Sequence, residues 1–182
     1  MDVELVKQAQ HGDREAFAIL ARTRGDRLYA IAQRILRDVH RAEDAVQQTL
    51  VAAWRELPDL RDPARFDAWL HRLIVRACYA EIRGARSFQS AIRVLDVEPA
   101  ATDAARDLAD RDELERGFRR LPPDQRAVLV FRHYLGLEPA EIAETLGIPV
   151  GTVRSRLHYA HRAMRAALEA DQRRDALHGG AR

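Results

Sequence analysis

Between Val150 and Arg165 the chain carries four arginines (154, 156, 162 and 165), together with Thr152, Ser155, His158, Tyr159 and His161, and no carboxylate. A planar guanidinium can donate two parallel hydrogen bonds to a phosphate or to the edge of a guanine. Hydroxyl, phenol and imidazole groups among the arginines supply further donors and acceptors within reach of a base edge. The chemistry on offer is therefore binding of a polyanion, not bond-making. An ordinary solvated helix face mixes both signs of charge, and this one does not. His158 and His161 stand three apart, which suits one helical face, yet no carboxylate or thiol partner accompanies them as metal ligands usually require. No nucleophile elbow, glycine-rich phosphate loop or metal-ligand spacing occurs elsewhere, so neither an enzyme nor a cofactor is expected.

These residues need a helix to hold them on one face. Val153, Leu157, Ala160, Met164 and Leu168 recur at intervals of three and four, which makes one buried stripe. Gly151, Ser155, His158, Tyr159 and Arg162 fall opposite. Upstream, Ile142, Ala143 and Leu146 form the inner face of a shorter helix. Gly147 suits the left-handed conformation that ends it, and Pro149 suits the opening of the next. The stretch Glu138–Arg165 thus predicts a helix-turn-helix, whose second helix enters a DNA major groove.

A second basic helix is predicted over residues 64–86. Its apolar positions are Phe66, Trp69, Leu70, Leu73, Ile74, Ala77 and Ile82, and its polar side holds His71, Arg72, Arg76, Arg83 and Arg86. A basic face beside Phe66, Trp69, Tyr79 and Phe88 suits a nucleic-acid backbone with unstacked bases. Taken singly, Phe66 and Trp69 read better as core.

The remaining chain is helical in pattern. A short helix over 2–11 is broken at Gly12-Asp13, with Asp13 as cap of the next. Gly25-Asp26 marks a break before Leu28, Ile31, Ala32, Ile35 and Leu36 resume the period. Residues 41–57 turn Val46, Leu50, Ala53, Trp54 and Leu57 inward and leave Glu43, Asp44, Gln47, Gln48 and Arg55 on the polar side. Pro58–Pro63 is a loop. Asp96–Glu113 holds seven acids against two arginines and reads as a linker. Asp124–Leu135 is a helix ended by Gly136, and the tail after Glu169 should fray. Nothing alternates with period two, so the fold is all-α. Two small helical domains are expected: an N-terminal bundle and a C-terminal four-helix domain with the helix-turn-helix. A flexible acidic linker joins them and holds them apart, with boundaries at 1–90, 91–106 (linker), 107–170 and 171–182 (tail).

With 182 residues, a net charge of +2 and one cysteine, the chain can build a core but no internal disulfide or cysteine cluster. The N-terminus lacks a signal pattern and no apolar run approaches membrane-spanning length, so a cytoplasmic protein is expected. Cys78 reads as a core thiol.

Three stretches together resemble the extracytoplasmic-function (ECF) group of bacterial RNA polymerase sigma factors, in the sigma-70 family: AEDAVQQTLVAAW at 42–54, FDAWLHRLIVRACYAEIR at 66–83, and LPPDQRAVLVFRHYLGLEPAEIAETLGIPVGTVRSRLHYAHRAMR at 121–165. The resemblance implies that residues 1–90 bind the −10 promoter element and that 107–170 read the −35 element. It implies that Asp44, Gln47 and Gln48 grip the polymerase β′ subunit, and that the Leu60–Asp67 loop holds a flipped base. Phe66, Trp69, Arg72, Arg76 and Arg83 would serve the −10 strand. Arg154, Ser155, His158, Tyr159 and Arg162 would lie in the −35 major groove, with Thr152 and Arg156 on phosphates. The implied partners are core RNA polymerase (β and β′), promoter DNA and, as in many relatives, an anti-sigma factor. The chain departs from the family's usual Asn and Asp at Arg76 and Ala80, and from its usual Glu at Gln48. The competing reading is a stand-alone helix-turn-helix regulator, which would bind duplex DNA unaided and leaves residues 41–86 without a task.

Overall fold

Asp13 stops one helix and starts the next. Its carboxylate accepts hydrogen bonds from the backbone N–H groups of Glu15 (2.9 Å) and Ala16 (3.1 Å), donors that a helix start leaves without internal partners. It separates α1 (Val3–Gln10) from α2 (Arg14–Leu36). Asp38 opens α3 (Val39–Glu56) in the same way, accepting from the Arg41 N–H at 3.0 Å. Two short 3-10 turns, Leu57–Asp59 and Pro63–Arg65, lead into α4 (Phe66–Ala91). The computed structural model describes residues 3–91 and 117–179, so the acidic linker read from the sequence lies outside the described residues. Beyond it come α5 (Pro123–Leu129), a π-turn (Val130–Tyr134), α6 (Pro139–Leu146) and α7 (Val150–Gly179). Among the described residues there is no strand.

Several local expectations change in the tertiary structure. Gly25-Asp26 does not break the chain but sits inside the continuous α2, because Leu20, Leu28, Ile31 and Ile35 on either side are buried. That burial outweighs the roughly 1 kcal/mol that glycine costs a helix interior. Trp54 faces outward, 38% exposed, and meets Phe17 edge-on at 5.0 Å. Ala53 and Leu57 are buried as expected and Val46 and Leu50 pack against the core, while Ala42, Ala45 and Thr49 complete the buried side. Such small residues let α3 lie close against α2 and α4, which leaves no room for an indole. His71, expected on the basic side of α4, is buried against Phe131 with ring centroids 6.0 Å apart. The helix that begins at Pro123 widens into the π-turn, where the Leu135 N–H donates to the Val130 carbonyl at 3.1 Å. Gly136, at φ +71°, then stops it as expected. The backbone of α7 is helical as far as Gly179, where the sequence suggested a tail from residue 171.

The expectation of two bodies held apart is not met. One apolar cluster runs from Leu20 and Ile31 through Ile74 to Phe131, Ile142 and Val153. Along this seam α2 and α4 lie against α5, the π-turn and α6.

Two glycines test the backbone reading with opposite signs. A Cβ at either Gly25 or Gly147 meets nothing within 4 Å, but Gly147 has φ +66° and ends α6. Gly147→Ala should lower stability by about 1 kcal/mol. Gly25→Ala should raise it by about 0.5–1 kcal/mol. Urea denaturation of both variants, with the midpoints compared at constant slope, measures the two shifts.

Candidate nucleic-acid interface

The outward face of α7 is set by what its inward face buries. Val153, Leu157 and Ala160 are at most 8% exposed, with Ala167 completing the stripe where the sequence suggested Leu168. At 100° per residue this leaves Arg154, Ser155, His158, Tyr159 and Arg162 on the open side, and all five are exposed. Tyr159 is 56% exposed, and its ring meets that of His158 edge-on at 5.6 Å. The Ser155 hydroxyl donates back to the Thr152 carbonyl at 3.0 Å. Thr152 itself lies half-buried in the first turn of α7, where its N–H bonds the Pro149 carbonyl.

Arg156, expected on a phosphate, has a partner within the chain. Its Nε pairs with Asp124 Oδ2 at 3.1 Å, so it ties α7 to α5. His161, three residues from His158, turns to His133 of the π-turn, with the two Nε2 atoms 3.0 Å apart. Burial, then His161 and Arg132, lowers the pKa of His133. No group of three or more metal-ligating side chains occurs among the described residues.

The opening of α6 positions the motif. The Glu141 carboxylate accepts the Glu138 N–H at 2.7 Å, and Arg132 Nη1 donates to Glu138 Oε1 at 2.6 Å, which ties the π-turn to the start of α6.

The second basic element is organised around the 60–67 loop. Gln10 Nε2 donates to the carbonyls of Leu57 (3.1 Å) and Leu60 (2.7 Å), so α1 holds the loop's entry. Asp62 caps the turn by accepting the Ala64 N–H at 2.9 Å, and Arg24 Nε pairs with Asp67 Oδ1 at 3.0 Å at its exit. The loop borders an open cavity of about 340 Å³ lined by Leu60, Asp62, Trp69, Arg72, Glu144 and Thr145 among others. Trp69 is half-buried there, against Phe66 at 5.8 Å. Phe66 is 1% exposed and belongs to the core, so it presents no face to a base. Arg76 and Arg83 are exposed, the former 3.7 Å from Glu56. Arg72 is already engaged: its Nε donates to the Thr145 carbonyl (2.9 Å) and its Nη2 to the Glu144 carbonyl (3.1 Å).

On α3, Asp44, Gln47 and Gln48 all point outward, and Gln48 also donates to Glu81 of α4. Val51 and Trp54, 45% and 38% exposed, extend that face as an apolar strip that the sequence reading had folded inward or passed over.

Two family descriptions match this layout: Sigma-70 region 2 over residues 20–88, and Sigma-70, region 4 over residues 111–166. The RNA polymerase sigma-H factor of Pseudomonas aeruginosa is 32% identical over 92% of this chain and 94% of its own length. The ECF RNA polymerase sigma factor SigM of Mycobacterium tuberculosis is 35% identical over 85% of this chain and 78% of its own. The chain belongs to the ECF group of the sigma-70 family. Among solved structures, CnrH in complex with the cytosolic domain of CnrY aligns with a TM-score of 0.66 at 29% identity, over 93% of this sigma factor and 98% of CnrH. No described helix of the sigma factor is long and apolar enough to cross a membrane.

Reading the sequence missed Arg65, Arg126, Glu144 and Thr145. Arg126 is 9% exposed, and burial, then the nearby Arg37, lowers its pKa. Arg65 and Glu144 form an ion pair across the seam although 79 residues apart in the chain. No periodicity could have signalled either feature.

The buried His71 yields a pH dependence. Burial, then the charge of Arg27, lowers its pKa from 6.5 to about 4 against an opposing pull from Asp67. Below pH 6.5 the unfolded chain binds a proton here that the folded chain refuses until about pH 4. The contribution to stability is therefore unchanged above pH 6.5 and falls across that window, by an amount of order 3 kcal/mol. Urea denaturation from pH 7 to pH 4 should show this loss, and His71→Leu should remove about one proton from the slope.

Proposed function

We propose that this sigma factor directs core RNA polymerase to promoters by dividing recognition between its two halves. The observation that carries the reading is the carboxylate-free outer face of α7, presented by a helix-turn-helix within a chain of the ECF group. Arg154, Ser155, His158, Tyr159 and Arg162 meet base edges and phosphates of the −35 element. Each good bidentate arginine–base pair contributes roughly 1–3 kcal/mol of discrimination. Phosphate contacts add affinity that falls steeply with salt.

The other half handles the −10 strand. Arg72, Arg76 and Arg83 lie along α4, and the cavity bounded by the 60–67 loop and Trp69 receives an unstacked base, whose extraction costs a few kcal/mol. Asp44, Gln47 and Gln48, extended by Val51 and Trp54, form the face that docks on the polymerase. The polymerase supplies the catalysis. A stand-alone regulator has no use for this outward strip of α3, which disfavours that reading.

Run-off transcription with purified core polymerase tests the proposal: a defined start should appear only when the chain is added, and no start in its presence sinks it. Arg154→Ala and Arg162→Ala should each cut −35-dependent initiation about tenfold while core binding stays unchanged. Asp44→Ala with Gln47→Ala should weaken core binding, measured by fluorescence anisotropy, and leave the fold intact because both side chains are exposed.

A further inference from the structure

His133 and His161 converge from two different elements. Their Nε2 atoms lie 3.0 Å apart, with ring centroids at 5.3 Å and ring planes inclined by 68°. Both side chains are exposed, so core packing does not force them together. The sequence sets His161 three residues from His158 on α7, yet the fold gives it a partner 28 residues away.

Both rings stand on fixed backbone. On α7, Ala160 beside His161 is fully buried, and Val153 and Leu157 hold the same stripe inward. His133 sits in the π-turn, a widening of the helix that often marks a functional position. Its neighbour Arg132 pins that turn, donating from Nη1 to the Leu137 carbonyl at 3.2 Å and to Glu138 Oε1 at 2.6 Å. The Glu138 contact also balances the one guanidinium next to His133 in the chain.

The separation of the two nitrogens selects a chemistry. A hydrogen bond of 3.0 Å forms when one Nε2 carries a hydrogen and the other does not. The same spacing suits a shared metal ion, because imidazole nitrogens bind late first-row metals at about 2.0–2.1 Å. Two such bonds at a right angle set the nitrogens about 2.9 Å apart, and at a tetrahedral angle about 3.3 Å. The observed 3.0 Å fits the right angle, which belongs to tetragonal nickel or copper with nitrogen and oxygen ligands. To bind an ion, the ring with Nε2–H moves that hydrogen to its own Nδ1. Among the described residues no hydrogen bond to either Nδ1 opposes the change.

We propose that His133 and His161 form a two-nitrogen site for a divalent cation of the nickel class, which staples the π-turn to α7 beside the basic face. Water fills the remaining positions. Half the donors of a structural zinc site should give a Kd of about 1–200 μM, so the ion exchanges and is no requirement for folding. Around the α7 axis His161 falls about 20° from Arg154 and about 60° from His158, so the ion adds positive charge on their side of the helix. The inference goes beyond the promoter reading and does not rest on it.

Calorimetric titration of the untagged full chain with nickel chloride tests the site. One ion per chain should bind in that range, whereas magnesium, which takes oxygen ligands, should give no binding heat. His133→Gln and His161→Gln each keep an amide that can hydrogen-bond the remaining imidazole but remove a metal-binding nitrogen. Each should weaken nickel binding about tenfold or more. Both positions are exposed, so the variants should keep the far-ultraviolet helical spectrum of the parent. A second measurement needs no variant: nickel at about four times Kd should slow carbethoxylation of His133 and His161 by diethyl pyrocarbonate about fivefold. Peptide masses report the rates, and the exposed His40 should react as before. No nickel binding by the parent, binding kept in both glutamine variants, or equal protection of His40 would each overturn the site. Loss in His158→Gln with retention in His133→Gln would place the ion on α7 alone and overturn the bridge.

Discussion

Burial of Val153, Leu157 and Ala160 is the constraint on which the candidate interface depends. A helix turns 100° per residue, so fixing one stripe against α5 and α6 fixes every other azimuth. Once these three are inside, Arg154, Ser155, His158, Tyr159 and Arg162 cannot be anywhere but outside. The elements that hold α7 then become part of the recognition device. Gly147 makes the tight turn from its left-handed conformation, and Asp124 ties α7 to α5 by pairing with Arg156. Arg132 ties the π-turn to the start of α6 through Glu138. Each contact sets the angle at which the basic face meets a groove.

The N-terminal half solves a related problem with smaller side chains. Ala42, Ala45, Thr49 and Ala53 bring α3 close to α2 and α4, so its larger residues, Val51 and Trp54, are left outside beside Asp44 and Gln47. The same packing gives α4 a rigid base, and from it the 60–67 loop is pinned at both ends by Gln10 and Arg24.

Between the halves the chemistry is mixed. Phe131 and Ile74 supply apolar area, while Arg72, Arg126, Tyr79 and His71 supply polar groups that the seam satisfies only in part. Cys78 lies in the same region. Burial, then Glu81, pushes its thiol up to about 12, which leaves it a packing group and not a nucleophile. A purely apolar seam would be more stable and harder to part. The mixture observed holds the halves together through both apolar area and arginine contacts.

Sequence alone determined the all-α class, the helix-turn-helix, the cap at Asp13, the stop at Gly147 and the identity of the basic face on α7. These follow from local rules: an apolar period of 3.6, a carboxylate within two or three residues of free N–H groups, and glycine's tolerance of positive φ. Only the tertiary structure decided that Trp54 stays outside, that His71 lies inside, that Arg156 serves Asp124, and that Arg65 and Arg72 reach across to α6. Those outcomes depend on which helices meet and how closely. Glu144 lies 79 residues from Arg65 in the chain, and no pattern confined to one helix encodes a pairing at that distance.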